Sequence, residues 1–419
     1  MNGTVTVPGD KSISHRAVMM GSIAEGETLI KNFLTGEDCL STMKCFMELG
    51  VTFDGPSDGN LKVYGRGLHG LKEPGKVLDA GNSGTTMRLI TGILSGQNFF
   101  SVITGDRSLT SRPMGRVITP LTKMGAQIAG RKGNTMAPLG IRGGDLQAIE
   151  YISPVASAQV KSCVILAGLY AGGVTSVTEP FKSRDHTERM LKHFGCDIEV
   201  RGNTVSVKGG SLLRGSEITV PGDISSAAFL MVAAAIVPGS DITIRDVGLN
   251  PTRDGIISAL TGMGAQIELL NSRILSGEPV SDIRVKSSGL KGTIIEGDLV
   301  PRMIDEIPVL AVAASVAQGQ TVVRDAAELK VKESNRISAI VEELKKFGVD
   351  IEELPDGFIV KPGNMLKGAE VDTRMDHRIA MAMTVAGMVS EGKTQIKDTR
   401  CVNISFPGFY DVLKILGKE

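Results

Sequence analysis

An α/β protein of two halves, built from six copies of a unit of about 70 residues, is the fold the sequence predicts. Two glycine-marked patterns and one internal duplication predict it. In the first pattern an apolar helical stretch ends at a glycine and a β-rich stretch follows: SIAEGETLIKNF, GILSGQNFFSVI, LYAGGVTSVTEP, AIVPGSDITIRDV, SVAQGQTVVRDA and MVSEGKTQIKDT. Its glycines are Gly26, Gly96, Gly173, Gly239, Gly319 and Gly392, spaced 70, 77, 66, 80 and 73 residues apart. The second pattern alternates with the first: MELGVTF, TKMGAQI, KHFGCDI, TGMGAQI, KKFGVDI and KILGKE, marked by Gly50, Gly125, Gly195, Gly264, Gly348 and Gly417. Glycine just past a helix end supplies the left-handed residue of a cap, and the alternating apolar run beyond it reads as a strand. Each unit should therefore contain two helices and several strands. One such helix–glycine–strand is common in any α/β protein; six paired occurrences at a near-constant period are not.

The duplication groups the units. TVTVPGDKSISHRAVMMGSIAEG near residue 4 resembles EITVPGDISSAAFLMVAAAIVPG near residue 217, about half the chain later. Two halves of three units each follow. The Pro-Gly runs Val7–Gly9 and Val220–Gly222 occupy equivalent places and are candidate crossings between domains.

Composition limits the function. Forty-six Lys+Arg balance 46 Asp+Glu, so the net charge is zero. An extended nucleic-acid or acidic-membrane surface needs excess basic charge. With 42% apolar and 22% charged residues the chain is an ordinary globular one, and zero Trp with four Tyr leaves few platforms for stacking bases. The five cysteines (Cys39, Cys45, Cys163, Cys196, Cys401) form no CxxC pair, which points to reduced, mostly buried thiols and no zinc site. No secretory signal is read at the N-terminus, and the longest apolar runs, such as Phe229–Val237, are too short to span a bilayer. A cytoplasmic location is expected.

Chemistry collects at the starts of the first helices: Asp10-Lys11-Ser12, Asn82-Ser83-Gly84-Thr85, Ser157-Ala158-Gln159, Asp223-Ile224-Ser225, Arg302-Met303-Ile304-Asp305 and Asp376-His377-Arg378. Asp, Asn and Ser there are ordinary N-caps. Cations are not, because the helix dipole disfavours them at that end. Yet Lys11, Arg16, Arg184, Arg253, Lys332, Arg336 and Arg378 all lie at or within two turns of expected helix starts. Backbone N–H groups joined by Lys and Arg form anion sites, so a ligand with several negative charges is expected. Gly65-Arg66-Gly67-Leu68-His69-Gly70 matches GxGxxG, but Pro74 and Gly75 oppose the helix a dinucleotide site requires. No GxxxxGK[ST], GxSxG or HExxH occurs. Asp305-Glu306 enters a strongly apolar helix, either as a dipole-stabilising cap or as a catalytic carboxylate in a dry cleft. Lys332-Glu333-x-x-Arg336 is expected to begin the next helix, as a solvated face or as a proton relay.

At these residues the sequence resembles the 5-enolpyruvylshikimate-3-phosphate synthase family. PGDKSISHR, GNSGTTMRL, RPMGR, SAQVKS, SRDHTE, NPTRDG, PRMIDEIP, ELKVKESNR, DHRIAM and SFPGF follow that family's motifs in order along essentially the whole chain, in the form of its bacterial class II branch. The resemblance implies a two-domain inside-out α/β barrel of six βαβαββ repeats, three per domain. One domain would be 10–221 and the other 1–9 with 222–419, the active site lying in the cleft between them. It implies transfer of the enolpyruvyl group of phosphoenolpyruvate to the 5-hydroxyl of shikimate 3-phosphate, in the shikimate route to aromatic amino acids. No metal or organic cofactor, nucleic acid or membrane is implied. A monomer is expected, with glyphosate as a possible inhibitor.

Carried over residue by residue, Lys11, Ser12, Arg16, Ser157, Ala158, Gln159, Arg184, Asp305 and Lys332 would hold shikimate 3-phosphate, Ser157 binding its 3-phosphate. Lys11, Asn82, Gly84, Arg112, Gln159, Arg336 and Arg378 would hold phosphoenolpyruvate. Asp305 would accept the 5-hydroxyl proton; Glu333, with Lys332, would protonate the methylene carbon; Lys11, Lys332 and the arginines would stabilise departing phosphate. His377 would orient its neighbour Arg378. Where class I members carry a Lys before the last motif, this chain has Ile404. The sibling family acting on UDP-N-acetylglucosamine usually has a reactive Cys in the loop that here runs Thr104–Gly115, and none lies there. A non-catalytic anion-binding repeat protein is the second rival, disfavoured by Asp305 and the Lys332-Glu333 pair.

Overall fold

Each expected unit supplies two principal helices, and we number these twelve along the chain: α1 Lys11–Ile23, α2 Glu37–Glu48, α3 Gly84–Ser95, α4 Gly115–Lys123, α5 Ala158–Gly168, α6 His186–His193, α7 Ile224–Ile236, α8 Gly255–Gly262, α9 Ile307–Ser315, α10 Arg336–Lys346, α11 His377–Gly387 and α12 Phe409–Leu416. The structure is a computed structural model and describes residues 1–363 and 365–417. Local chemistry sets the helix starts. Asp10, Ser83, Ser157, Asp223 and Asp376 cap α1, α3, α5, α7 and α11, each side chain accepting a backbone N–H at 2.8–3.4 Å. For α9 the start is different. Glu306 occupies the cap position without a side-chain cap bond, and a proline in the first turn sets the backbone instead.

A helix that is apolar all round must be buried. In α7 every residue from Ile224 to Ala235 is buried, and in α9 every residue is. The helices α7, α9 and α11 pack on one another around one core; α3 packs on α1 and α5 around the second. Each fully buried Val, Leu, Ile or Met there contributes about 1.5–3 kcal/mol. The even-numbered helices α2, α4, α6 and α10 carry charged outer faces and bury one side only.

Contacts divide the chain into two units: Met1–Pro8 with Pro221–Ile274 and Pro279–Glu419, and Gly9–Val220 with Leu275–Glu278. Five four-stranded sheets share one order, in which the first two strands are parallel across a helix and the second pairs antiparallel with the fourth. The first and fourth sheets have exchanged their leading strands. Asn2–Thr6 precedes α1 but pairs with Asp241–Gly248, whereas Glu217–Thr219 precedes α7 but pairs with Glu27–Lys31. The sixth repeat is abbreviated among the described residues: Glu370–Val371 pairs with Gln395–Ile396, and a 3₁₀ turn over Thr399–Ile404 leads into α12.

Most of the pattern glycines are left-handed, as caps require, with φ between +76° and +114° at Gly26, Gly50, Gly125, Gly173, Gly195, Gly239, Gly264, Gly319, Gly348 and Gly392. Two differ. Gly96 has φ −93°, and its need is space, because a Cβ would sit 2.2 Å from the Tyr170 ring. Gly417 has φ −94° and continues the helical turn by donating to Leu413 O at 3.0 Å. After the strand Asn60–Tyr64 the segment 65–77 forms no helix, in keeping with the dismissal of GxGxxG. No helix of the described residues is long and apolar enough to cross a membrane.

Candidate active site

In the unit Gly9–Val220, three helix starts carry the expected anion-binding residues. Lys11 is the first residue of α1, and its Nζ donates to Asp38 Oδ2 at 2.7 Å. Ser12 follows, half-buried, and its carbonyl accepts from Arg16. Arg16 is only 3% exposed. Its Nε donates to Thr187 Oγ1 at 2.7 Å and its terminal nitrogens to Ser162 Oγ at 2.9 Å and Ser12 O at 3.0 Å. Burial pulls the Arg16 guanidinium down to about 10, with Glu188 and Asp10 opposing and Arg184 assisting, so it stays charged near neutrality. Ser157 caps α5, with half-buried Ala158 and Gln159 after it, and Arg184 stands two residues before α6.

The phosphoenolpyruvate residues expected in this unit meet around α3. Arg112 donates to Asn82 Oδ1 at 2.5 Å and to Ser108 Oγ at 3.1 Å, and Asn82 Nδ2 donates to Asp106 Oδ2 at 2.6 Å. Arg112 Nε is buried without a hydrogen-bond partner among the described residues. Gly84 opens α3, where a Cβ would lie 2.9 Å from Arg88 NH1 and 3.7 Å from Arg112 NH1. Gln159 is held from both ends, by Arg88 NH1 at 2.5 Å and by its own Nε2 on Thr85 Oγ1 at 3.1 Å. Below these starts, His15 Nδ1 contacts Thr42 Oγ1 at 2.7 Å, Thr42 contacts Thr86 at 2.6 Å, and Thr86 Oγ1 donates to Ser83 Oγ at 2.7 Å. Burial lowers His15 to about 3, so this chain of hydroxyls begins at a neutral imidazole.

In the other unit, Asp305 is the meeting point. Arg336 NH1 lies 3.2 Å, Lys332 Nζ 3.7 Å and Arg378 Nε 3.8 Å from its Oδ1. Glu333 Oε2 sits 2.6 Å from Arg336 NH2. Arg336 is 1% exposed, and Asp376 grips it through Nε at 2.8 Å and NH2 at 3.3 Å. Burial opposes charge on Asp376, but Arg336 outweighs it and holds the carboxyl below its ordinary value; Asp376, Glu333 and Asp305 together raise Arg336. His377, buried at the start of α11, adds to the lowering of Asp376.

One sequence expectation needs correction. Lys332 and Glu333 do not begin a helix: a 3₁₀ turn over Ala327–Val331 ends at Lys332, and α10 starts at Arg336 behind an Asn335 cap. Asp305-Glu306 leaves two readings open; neither carboxylate makes a side-chain cap bond to α9. Asp305 lies in the turn ahead of α9, and buried Glu306 accepts from Ser225 Oγ. Arg253, ahead of α8, is 3% exposed and contacts Asp223, Ser225 and Glu306. Sequence reasoning missed Asp38, Arg88 and Asp106, whose partners lie 24 to 71 residues away. All five cysteines are buried, and burial pushes the Cys45 and Cys163 thiols up to about 12. No cluster of three His, Cys, Asp or Glu fit to hold a metal forms among the described residues.

A sixfold repeated α/β chain with cations and carboxylates gathered at its helix starts is the architecture of a carboxyvinyl transferase. The family model described as EPSP synthase (3-phosphoshikimate 1-carboxyvinyltransferase) matches residues 1–413. The chain belongs to that family. It is 60% identical to the 3-phosphoshikimate 1-carboxyvinyltransferase of Desulforamulus reducens over 99% of this chain and 96% of the relative. The protein of that name from Pelotomaculum thermopropionicum is 61% identical over the same shares. Among solved structures, EPSP synthase of Acinetobacter baumannii superposes with TM-score 0.90 at 49% identity, covering 99% of this chain and 96% of that one.

Proposed function

We propose that Asp305, Lys332 and Glu333 carry the proton transfers of enolpyruvyl transfer from phosphoenolpyruvate to the 5-hydroxyl of 3-phosphoshikimate, with Lys11 and the arginines serving the charge. The observation that supports this most is the setting of Asp305, on whose carboxylate Arg336, Lys332 and Arg378 converge within 3.8 Å. Phosphoenolpyruvate, bearing one phosphate and one carboxylate, is the partner of Arg112, Arg336 and Arg378, whose planar forks match either group. Asn82 and the Gly84 backbone complete its seat, with Lys11 and Gln159. Shikimate 3-phosphate is held by Lys11, Ser12, Ser157, Ala158, Gln159 and Arg184, with Asp305 and Lys332 at its ring. Arg16, with three of its five N–H groups on Thr187, Ser12 and Ser162, joins them from beneath Ser12.

In the addition step, the 5-hydroxyl oxygen bonds to the enolpyruvyl carbon that carries phosphate as Asp305 takes its proton. Glu333, with Lys332, delivers a proton to the methylene carbon, and a tetrahedral intermediate results. In the elimination step the carbon–oxygen bond to phosphate breaks, the methyl group returns a proton to Glu333, and the proton held by Asp305 leaves with the phosphate. The departing charge falls on Lys11, Lys332 and the arginines. Glyphosate would compete with phosphoenolpyruvate on this reading, and the chain would act as a monomer. The test is phosphate release from phosphoenolpyruvate with either 3-phosphoshikimate or UDP-N-acetylglucosamine as acceptor. Turnover only with the sugar nucleotide would overturn the reading.

A further inference from the structure

Beneath Ser157 lies a buried ion net that none of these roles uses. Lys161, on α5, is 2% exposed, and its Nζ lies 3.0 Å from Glu179 Oε2 and 2.8 Å from Glu188 Oε1. It also donates to Ser183 O at 3.3 Å. The Glu188 contact is an ion pair without hydrogen-bond alignment. Four donors converge on Glu179. Its Oε1 accepts the Ser157 backbone N–H at 2.7 Å; its Oε2 accepts Ser183 Oγ at 2.7 Å and Ser183 N at 3.3 Å, beside the Lys161 ammonium.

Stability alone does not account for such a net. Taking an ammonium and two carboxylates out of water costs several kcal/mol per ion, and well-packed apolar side chains are often as stable in their place. Its location gives the reason. One end of Glu179 fixes Ser157 at the start of α5, and the other fixes Ser183, the neighbour of Arg184. The charges also balance. Lys161 cancels Glu179, and Glu188 faces Arg16, whose charged form it supports. A bare carboxylate under Ser157 would repel a phosphate; a neutralised one holds the loop without that penalty.

We infer that Glu179, neutralised by Lys161, is a positioning residue for the 3-phosphate of 3-phosphoshikimate, setting Ser157 and Arg184 at the spacing that phosphate requires. The inference rests on the proposed assignment of Ser157 and Arg184 to that phosphate. A carboxylate is needed, because a Gln at this position turns its amide N–H groups toward donors at one end or the other.

The test titrates the full chain and three variants calorimetrically with 3-phosphoshikimate and with shikimate, which lacks the phosphate, and measures KM for phosphoenolpyruvate. Glu179→Gln should weaken 3-phosphoshikimate about tenfold, with shikimate affinity and phosphoenolpyruvate KM kept within about twofold. Ser183→Ala, a milder change that serves if the first variant does not fold, should act the same way by about threefold. Equal weakening of shikimate and 3-phosphoshikimate, or unchanged affinity in the folded variants, overturns the inference. Ser157→Ala separates the two layers: unchanged 3-phosphoshikimate affinity in that variant overturns the underlying assignment instead.

Discussion

Asp376 binds the guanidinium of Arg336 in a two-point grip, Nε at 2.8 Å and NH2 at 3.3 Å, while its Oδ1 also caps α11 through the Arg378 N–H at 2.9 Å. One buried carboxylate thus fixes two arginines proposed to hold phosphoenolpyruvate. Asp376→Asn removes the charge that Arg336 is built against, and breaking a buried pair costs about 3–5 kcal/mol. We expect a clear drop in Tm and a phosphoenolpyruvate KM raised well beyond that of 3-phosphoshikimate. Unchanged KM values in a folded variant would refute the grip's role.

Asp305→Asn keeps the shape and removes the proton acceptor. Turnover in a phosphate-release assay should fall by about 10²–10⁴, the usual reach of general base catalysis, with KM values moved only a few-fold. Near-normal turnover would exclude Asp305 as the base.

The buried imidazole of His15 gives a pH signature. Its pKa is lowered from 6.5 to about 3 in the folded chain. A depressed pKa means that the unfolded chain binds the extra proton first, so stability is full above the unfolded value and is lost as pH falls toward the folded one. Between those limits one proton steepens the loss by about 1.4 kcal/mol per pH unit. Denaturant titrations from pH 6 to pH 4 should therefore show a shallower slope for His15→Gln than for the parent chain. Parallel slopes would show that His15 does not titrate with unfolding.

At Gly84 an added Cβ would press on Arg88 NH1 at 2.9 Å, and Arg88 is what holds Gln159 Oε1. Gly84→Ala should fold, since alanine suits a first helical turn. It should raise phosphoenolpyruvate KM by about tenfold through that displacement, with a smaller rise for 3-phosphoshikimate, which shares Gln159. A rise confined to 3-phosphoshikimate would place Gly84 elsewhere.

Much of this was legible in the sequence because it is local. Period-marked glycines, N-caps and the apolar runs of α7 and α9 act within a few residues, and the sixfold unit follows from them. The exceptions have physical causes. Gly96 looks like any cap glycine, yet it answers to the Tyr170 ring, 74 residues on. Arg253 has the same helix-start placement as Arg378, but its contacts with Asp223, Ser225 and Glu306 come through space and leave no local mark. Asp376 and Glu179 illustrate the same limit. The first reads as an ordinary cap and the second carries no motif, because Arg336, Ser157 and Lys161 reach them from other segments.

The exchanged leading strands carry a consequence for synthesis. Asn2–Thr6 leaves the ribosome well before its partner, which begins at Asp241. At about 5–20 residues per second the nascent chain keeps that strand waiting for some tens of seconds, an open edge meanwhile. In the inserted segment Gly9–Val220 the leading strand, Glu217–Thr219, arrives last and closes a sheet whose other strands are already made. The order of translation thus favours completing the inserted unit first, and leaves the N-terminal strand as the piece most in need of protection.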